Sequence, residues 1–325
     1  MIIIKNLDGT LEQSSIHYIK SKSNNFKGWY CDAGQNSLWI HSNGDIFGNV
    51  CQSIRYGNIY EAFDILAAPI QCPKTNCFCG ADIAITKAKT LADLKNIKSI
   101  DSIINFKELN ASSMDNVVAM IHPRNLKEKN TFTIDWNIGK RCNFNCSYCP
   151  PKTHDNYSPH LTLSSFILAF NKVYSIIDDY TTIDIIFTGG EPTINPEYLD
   201  IVTYSKRSNT RIFTNTNCTA SVDKLEKLMH LGGLYISVHE EFIQHEKTLE
   251  KIRFLYDQMI DKDIINIKYM FMPNKLKDAK EFISQLPKKK NNFFISIHPL
   301  VDKTNNGNRL DYSLEEIEFI SLYDI

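Results

Sequence analysis

The carboxyl-terminal part of the chain alternates extended apolar runs with amphipathic stretches, and this alternation constrains the fold more than any other feature. The extended runs are residues 131–139, 183–192, 210–217, 233–241, 264–273 and 291–300, and an amphipathic stretch follows each of them. Near-continuous Ile, Phe and Val content of this kind is typical of strands that are buried on both faces. Six βα units therefore predict an α/β fold with a parallel sheet, which is either an open doubly wound sheet or a partial barrel.

Composition limits the function classes open to such a chain. The chain has 325 residues, with 36 Lys and Arg against 37 Asp and Glu, for a net charge of -1. This balance gives no bulk attraction to nucleic acid or to an anionic membrane, so neither is an expected partner. The apolar run at residues 2–4 is too short for a signal peptide or a membrane span, and we expect a cytoplasmic protein. Cysteines in that compartment stay reduced or hold metal.

Three of the nine cysteines lie close together, at Cys142, Cys146 and Cys149, in the loop after the first of these strands. Their spacing alone allows a zinc site, a disulfide pair or an iron–sulfur cluster. A structural zinc ion and an all-cysteine cluster both need four ligands, so three thiolates leave one position open. An open position is what a catalytic metal site keeps for a substrate or a cofactor. The isolated Cys218 is interpreted as a small buried apolar residue.

A second unusual motif, Gly189-Gly190-Glu191-Pro192, follows the second strand. Loops at the carboxyl ends of parallel strands carry the chemistry in doubly wound sheets and in barrels alike. The cysteine loop and the glycine-rich motif both lie at such ends. We therefore expect them to face one common cavity.

Together these motifs resemble those of radical SAM enzymes, and the resemblance covers residues 131–325. In that family a C-x3-C-x2-C motif with an aromatic residue before the last cysteine, here Tyr148, holds a 4Fe-4S cluster. The resemblance implies a partial (β/α)6 barrel, with S-adenosylmethionine (SAM) chelating the open iron and Tyr148 lying against its adenine. Gly189 and Gly190 would let the methionine moiety approach the backbone, and Glu191 would counter its ammonium.

The resemblance also implies the chemistry. A low-potential electron donor such as flavodoxin or ferredoxin reduces the cluster, SAM is cleaved, and the resulting 5'-deoxyadenosyl radical removes a hydrogen atom from the substrate. The leading expectation for the substrate is a peptide or ribosomally made precursor, because family members with auxiliary clusters often modify peptides. The alternatives are oxidation or epimerisation of a small sugar or nucleoside-type molecule and, in another class, a non-catalytic iron–sulfur protein that transfers electrons or senses redox state.

Polar residues at the ends of later strands supply further candidates. The candidates for the ribose of SAM are Asn215 and Ser237, followed by Thr214 and Asn217. The candidates for an acid, a base or a substrate contact are His239, Glu240 and His298, with Glu241 beside them. Ser and Asn at strand ends also form turns, and a lone histidine is as readily a hydrogen-bonded structural residue.

Residues 1–125 do not show the alternation of the carboxyl-terminal part. We assign them to a small Cys-rich α+β domain that precedes the barrel at 126–325. Residues 37–51 predict a β-hairpin around Asn43-Gly44, residues 57–70 are predicted to be partly helical, and residues 72–83 irregular. The cysteines of this domain are Cys31, Cys51, Cys72, Cys77 and Cys79.

With the hairpin, these cysteines resemble the SPASM and twitch domains that carry auxiliary 4Fe-4S clusters in part of the radical SAM family. Those domains normally follow the barrel, whereas here the cysteine-rich region comes first. Five thiols exceed the four that one cluster needs and fall short of eight for two. The prediction is one auxiliary 4Fe-4S cluster, with a structural zinc site as the competing interpretation.

Overall fold

A computed structural model of the chain describes residues 2–14, 16, 19, 25–65, 68–77, 80–97, 116–121, 130–150, 152–288, 290–302 and 308–323. It divides into two compact units, Met1–Asp135 with Asp179–Thr182, and Trp136–Asp178 with Ile183–Ile325. The boundary predicted at residue 125 lies outside the described residues and stays a prediction, as does the role of Cys79.

The first unit is built on antiparallel strands. They are β1 Ile2–Asn6, β2 Leu11–Ser14, β3 Tyr30–Cys31, β4 Ser37–Ile40, β5 Asp45–Phe47, β6 Arg55–Asn58, β7 Ile70–Gln71, β8 Lys87–Ala88 and β9 Val117–Ile121, with helices α1 Gly80–Ile83 and α2 Leu91–Ile97. One sheet has the order β2-β1-β9-β8-β3-β7, and each neighbouring pair in it is antiparallel. Because successive strand residues face opposite sides, Ile2 and Ile4 of β1 pack into one core cluster and Ile3 into another. The thiols of Cys72 and Cys77 pack against the cluster around Ile2 and Ile4.

Strands β4, β5 and β6 pair antiparallel, and the turn between β4 and β5 is the predicted hairpin. Gly44 there has a φ of +88°, a conformation that glycine adopts without strain. The prediction of a partly helical segment at 57–70 is wrong for the residues that are described. They continue β6, form a turn and then an isolated bridge between Gly57 and Phe63, because β6 extends the hairpin instead of starting a helix.

The second unit contains parallel strands joined by helices. After β10 Thr131–Asn137, which crosses from the first unit into the second, the strands are β11 Thr182–Thr188, β12 Thr210–Thr216, β13 Gly233–His239, β14 Ile264–Phe271 and β15 Phe293–Pro299, followed by a short antiparallel pair, β16 Val301–Asp302 and β17 Asn308–Arg309. The helices are α3 Leu163–Ile177, α4 Tyr198–Ser205, α5 Val222–Leu231, α6 His245–Gln258, α7 Leu276–Ser284 and α8 Leu314–Ser321, with a 3-10 turn at Pro192–Ile194.

Local signals account for several helix starts. The side chain of Thr162 accepts the Ser165 N–H at the start of α3, and that of Ser221 accepts the Lys224 N–H at the start of α5. Helix α8 begins with a reciprocal capping box at Ser313. Each of these contacts satisfies a backbone donor that the first helical turn leaves free.

The parallel strands β11 to β15 follow one another in chain order across the sheet, without a reversal. A doubly wound sheet reverses its order at a switch point, so this arrangement is not doubly wound. Right-handed connections then place the helices on a single face. Strand β14 shows the consequence, since every second residue is buried and the others are only half-buried. Burial of both faces, expected from the apolar runs, is therefore wrong for β14, because only one of its faces is covered.

No helix among the described residues combines the length and the apolar character needed to cross a membrane.

Candidate functional site

The two glycines of the glycine-rich motif are required because the end of β11 runs against the loop that follows β10. Gly189 has a φ of +139°, and a Cβ there would lie 2.4 Å from the carbonyl oxygen of Gly139. A Cβ on Gly190 would lie 2.2 Å from the carbonyl oxygen of Arg141. Both positions therefore need glycine in order to admit the neighbouring loop. The predicted approach of a methionine moiety to this backbone stays a prediction.

The close approach lets the motif pair with the segment that leads into the cysteine loop. The Gly190 N–H donates to the Gly139 carbonyl at 2.9 Å, and the Glu191 N–H donates to the Arg141 carbonyl at 2.9 Å. Cys142 is the next residue in that segment. The glycine-rich motif and the cysteine loop therefore meet at the carboxyl end of the sheet, with backbone hydrogen bonds fixing one against the other.

The three thiols of the loop lie close together, since Cys149 adds to the rise that burial causes in the pKa of both Cys142 and Cys146. The Cys149 N–H donates to the Cys146 carbonyl at 3.0 Å, which closes a turn, and the Phe144 N–H donates to the Cys142 sulfur at 3.4 Å. Burial raises the pKa of the Cys146 thiol to about 11, and it also raises the pKa of Cys142, with Glu191 and Cys149 adding to the effect. Thiols of this kind become good ligands once a cation stabilises the thiolate form.

The donor set tests which metal fits. All three cysteines are free, so a disulfide pair is not formed. Within the described residues, no group of three His, Cys, Asp or Glu side chains is arranged to hold a single metal ion. A 4Fe-4S cluster binds each thiolate at a different iron, so its ligands stand farther apart than those of one zinc ion. The three thiols of this loop supply three ligands, which fits a 4Fe-4S cluster that keeps one iron without a protein ligand.

Glu191 is buried, with 3% of its surface exposed, and its carboxylate joins the ends of two strands. One oxygen accepts the Thr193 N–H at 3.0 Å, the Thr193 hydroxyl, and the Thr216 hydroxyl at 2.8 Å, and the other accepts the Asn217 N–H at 2.6 Å. Burial raises the pKa of Glu191, and these hydrogen bonds oppose that change. Glu191 thus positions the ends of β11 and β12, and its predicted contact with a ligand ammonium stays a prediction.

Tyr148 packs against His239 at the end of β13. The rings are nearly parallel with centroids 5.9 Å apart, and the Tyr148 hydroxyl lies 2.6 Å from His239 Nδ1. The other ring nitrogen, Nε2, lies 2.9 Å from the Ser237 hydroxyl, which donates to the Thr216 carbonyl. A hydroxyl has one proton to donate, so Nε2 carries the imidazole proton and Nδ1 accepts from Tyr148. His239 also lies 3.6 Å from the Cys146 sulfur, and burial lowers its pKa to about 4.

A cavity of about 250 Å³ opens beside this contact, at the carboxyl ends of β12 and β13. Phe144 and Phe242, stacked with centroids 5.2 Å apart, form its apolar wall. Of the residues predicted to bind the ribose, Ser237 and Asn217 line this cavity, and the Asn217 amide also donates to Asn143 in the cysteine loop at 2.9 Å. The other two lie elsewhere, Asn215 accepting from Lys268 at 3.2 Å and Thr214 bonding to Tyr198.

The structure separates the predicted catalytic residues. His239 contacts the cysteine loop, whereas the charged groups around Glu240 are His245 of α6 and Lys275 and Asp278 near α7, away from that loop. His298 bonds to the Ser296 hydroxyl at 3.0 Å on β15. Of these three residues, the structure brings only His239 to the cysteines. The catalytic roles of all three stay predictions.

Two residues that stabilise the site were not selected from the sequence. Thr216 was not a candidate, and Glu241 was only mentioned beside the candidates. Thr216 supports Glu191, and Glu241 accepts both the backbone N–H of Ser147, at 2.7 Å, and its hydroxyl. Ser147 lies between the second and third cysteines of the loop. The available signal was position, since both residues end or follow a parallel strand and so belong to the edge where the chemistry gathers.

The first unit holds a second group of cysteines. Four of them, Cys31, Cys51, Cys72 and Cys77, line one cavity of about 230 Å³. Burial raises the pKa of Cys31 to about 11 and that of Cys77 to about 12, and each of these thiols is affected by other cysteines of the group. Again no three of these described side chains are arranged for a single ion. Four thiols around one space fit a 4Fe-4S cluster, which needs four ligands.

Comparison with known proteins finds a family match within residues 136–261. The family model of the Radical SAM superfamily matches residues 136–261. Fe-coproporphyrin III synthase from Methanosarcina barkeri is 28% identical over 123 residues, which are 36% of this chain and 29% of that protein. GTP 3',8-cyclase from Campylobacter jejuni is 29% identical over 114 residues, or 34% of this chain and 35% of that protein. The matches thus span about a third of the length of these relatives.

Two solved structures also resemble the chain. They are Streptococcus suis SuiB bound to precursor peptide SuiA, with a TM-score of 0.44 and 9% identity, and the same protein bound to S-adenosylmethionine, with a TM-score of 0.39 and 10% identity. They cover 72% of this chain and 56% and 54% of the other. A domain shared with a synthase and a cyclase supports an enzyme. Residues 136–261, which carry both the cysteine loop and the glycine-rich motif, match the model of the radical SAM superfamily.

Proposed function

We propose that this protein is a radical SAM enzyme that holds a 4Fe-4S cluster on Cys142, Cys146 and Cys149 and binds SAM next to the glycine-rich motif. The observation that carries the proposal is the pair of backbone hydrogen bonds from Gly190 and Glu191 to the segment entering the cysteine loop. These bonds hold the three-thiol loop against a glycine pair that no other residue could replace. This arrangement is expected of a protein that uses a metal centre with an open position.

When bound, the cluster supplies the electron that cleaves SAM to a 5'-deoxyadenosyl radical. Cys142, Cys146 and Cys149 would hold the cluster and would leave one iron without a protein ligand, where SAM could bind. Phe144 and Phe242 give the neighbouring cavity an apolar wall suited to adenine, and Ser237 and Asn217 supply groups that can bond to ribose hydroxyls. Tyr148 and His239 brace the loop from the β13 side, so they position the ligands.

We further propose that β10 to β15 curve into the partial barrel. The support is the sequential order of β11 to β15, together with the half-buried polar residues on the face opposite the buried one, such as Asn215, Ser237 and Lys268. A partial barrel would enclose that face as a substrate cavity above the cluster.

For the first unit we propose an auxiliary 4Fe-4S cluster on Cys31, Cys51, Cys72 and Cys77. The support is that these thiols share one cavity and match in number the ligands of one cluster. Cys79, the fifth thiol of the sequence motif, would then be a bystander or an exchangeable ligand.

The proposed substrate is a peptide, supported by the four-cysteine cavity, because radical SAM enzymes with auxiliary clusters often modify peptides. A nucleotide is the second candidate, and the similarity to a GTP 3',8-cyclase favours it. Two measurements distinguish these substrates. The true substrate should accelerate SAM cleavage, and its own mass should change in the reaction.

The test begins with anaerobic reconstitution of the full chain, followed by counts of iron and sulfide and detection of 5'-deoxyadenosine after reduction with dithionite in the presence of SAM. About eight irons per chain and production of 5'-deoxyadenosine are expected. Production should accelerate with a short peptide encoded beside this gene, and acceleration by GTP instead would select the nucleotide. Iron without any 5'-deoxyadenosine would reject the enzyme in favour of a non-catalytic iron–sulfur protein.

A further inference from the structure

The wall of the four-cysteine cavity contains a buried ammonium group. Lys87, on β8, is 2% exposed, and its Nζ lies 4.5 Å from the centroid of the Phe26 ring. Nζ donates to the carbonyl oxygens of Asp82 at 2.7 Å and Ile83 at 3.1 Å, at the end of α1. Among the described contacts, its hydrogen bonds are therefore to carbonyl oxygens and none is to a carboxylate.

A buried ammonium is costly unless negative charge lies nearby, and the cavity is where that charge can be found. Lys87 is the residue paired with Cys31 across β3 and β8, and it lines the cavity together with all four thiols. The buried Asp82 carboxylate, which accepts the Cys51 N–H at 2.9 Å, lines the same cavity and offsets part of the Lys87 charge. The other lysine of the lining, Lys74, is exposed, so water screens its charge.

We propose that Lys87 is a positioning residue for the auxiliary cluster, a buried cation whose charge stabilises the reduced form and so raises the reduction potential of that cluster. The inference rests on the proposed function, in which Cys31, Cys51, Cys72 and Cys77 bind the cluster. Reduction at an applied potential adds one electron to a group that is already negative overall, because the charge of four thiolates exceeds that of the iron–sulfur core. A fixed positive charge in a water-poor wall favours that added electron more than solvent-exposed charges do.

The experiment uses the full chain with Cys142, Cys146 and Cys149 all changed to alanine, so that any remaining cluster is the auxiliary one. This parent is reconstituted and titrated against applied potential while the reduced cluster is followed by electron paramagnetic resonance. Lys87→Met removes the charge and keeps the length of the side chain. At the midpoint potential of the parent, the ratio of reduced to oxidised cluster should fall about tenfold in Lys87→Met, a midpoint 59 mV lower for one electron.

Two further variants separate charge from packing. Lys87→Arg keeps the charge and should keep the parent's potential, and Lys95→Met removes an exposed lysine of α2 in the same unit and should leave the potential unchanged. If Lys87→Met loses iron while Lys87→Arg keeps it at the parent's potential, the requirement for charge is also supported.

Three results would overturn the inference. Lys87→Met could hold about four irons at the parent's potential, which would reduce Lys87 to a cap on α1. Lys95→Met could shift the potential as much as Lys87→Met does, which would point to bulk charge. Both Lys87 variants could lose iron, which would point to packing. A parent without iron would instead reject the auxiliary cluster itself, and the iron count distinguishes that failure from the others.

Discussion

The two cysteine sites of this protein are assembled in different ways. Cys142, Cys146 and Cys149 come from one loop of eight residues, which backbone hydrogen bonds hold against the glycine-rich motif. The four thiols of the first unit come from residues 31 to 77, from separate strands and loops that antiparallel pairing brings to one cavity. The first site is therefore set by a local motif and one close backbone approach, and the second by the fold of a whole unit.

The charged groups around the two sites differ as well. Beside the loop stand the buried carboxylate of Glu191 and a histidine kept neutral by its low pKa, whereas the cavity of the first unit contains the buried ammonium of Lys87 in addition to the buried carboxylate of Asp82. A negative neighbour disfavours an added electron and a positive neighbour favours it. Three thiolates among negative or neutral groups suit a strong reductant with an open position. Four thiolates with a buried cation in the wall suit a closed centre, whose potential that cation raises.

The largest effect is expected from the cysteine loop. Changing Cys142, Cys146 and Cys149 together to alanine should abolish 5'-deoxyadenosine formation and lower the iron content from about eight to about four per chain, because only the four-cysteine cavity would still hold a cluster. Chromatographic detection of 5'-deoxyadenosine and iron analysis measure both. Ser175→Ala is the control, since Ser175 is an exposed residue of α3 in the same unit and its hydroxyl donates to the Lys172 carbonyl within its own helix. Loss of activity in the control equal to that in the triple variant would contradict the assignment.

A smaller loss of activity is expected when the close contact between the glycine-rich motif and the cysteine loop is disturbed. Gly190→Ala places a Cβ 2.2 Å from the Arg141 carbonyl oxygen, so the loop must move. Displacement of a ligand loop by about 1 Å costs on the order of 10²-fold in rate, and we expect that reduction in 5'-deoxyadenosine formation. Gly139→Ala, in the facing segment, meets nothing within 4 Å and should retain nearly full activity. Equal rates in the two variants would show that the close approach does not control the site.

The cavity of the first unit should behave in the opposite way. Cys51→Ala removes one of its four ligands, so about four irons should be lost, while 5'-deoxyadenosine formation from SAM alone changes by no more than about threefold. The reason is that the loop keeps all three of its thiols. Iron analysis and the uncoupled SAM cleavage assay, made on the same preparation, measure the two effects. Retention of all eight irons would reject Cys51 as a ligand.

Much of the second unit was predictable from the sequence, because each element carried a local signal. The apolar run at 264–273 predicts β14, and the amphipathic stretch after the run at 210–217 predicts α5. Whether the second face of the sheet was covered could not be predicted, since an apolar run does not say which strands become neighbours. In the first unit, residues 57–70 were wrongly expected to be partly helical because the pairing of β6 with the hairpin outweighs local helix preference.

The candidate site was predictable only in part, for a similar reason. Motif spacing drew attention to the cysteine loop and to Glu191, because the residues within each of these two motifs are close together in sequence. Thr216 and Lys87 escaped, since their relevance comes from contacts across the fold, to Glu191 in one case and to a cavity in the other. Glu240 was selected for its place after β13, yet its neighbours belong to α6 and α7, because adjacent residues at a strand end point to opposite faces.

The smallest effect concerns the support of Glu191, and two threonines on β12 allow a matched test. Thr216→Val removes a hydroxyl that donates to the buried carboxylate at 2.8 Å, and Thr214→Val removes one that bonds to the neutral Tyr198 hydroxyl at 2.8 Å. Hydrogen bonds to charged groups contribute about 1.5–3 kcal/mol and neutral ones about 1 kcal/mol, so denaturant unfolding should show the larger loss for Thr216→Val. Only that variant alters the carboxylate beside Cys142, so only that variant should slow 5'-deoxyadenosine formation, by a factor of about three to ten. Equal slowing in both variants would mean that Glu191 acts on the fold of the strand and has no separate influence on the cysteine loop.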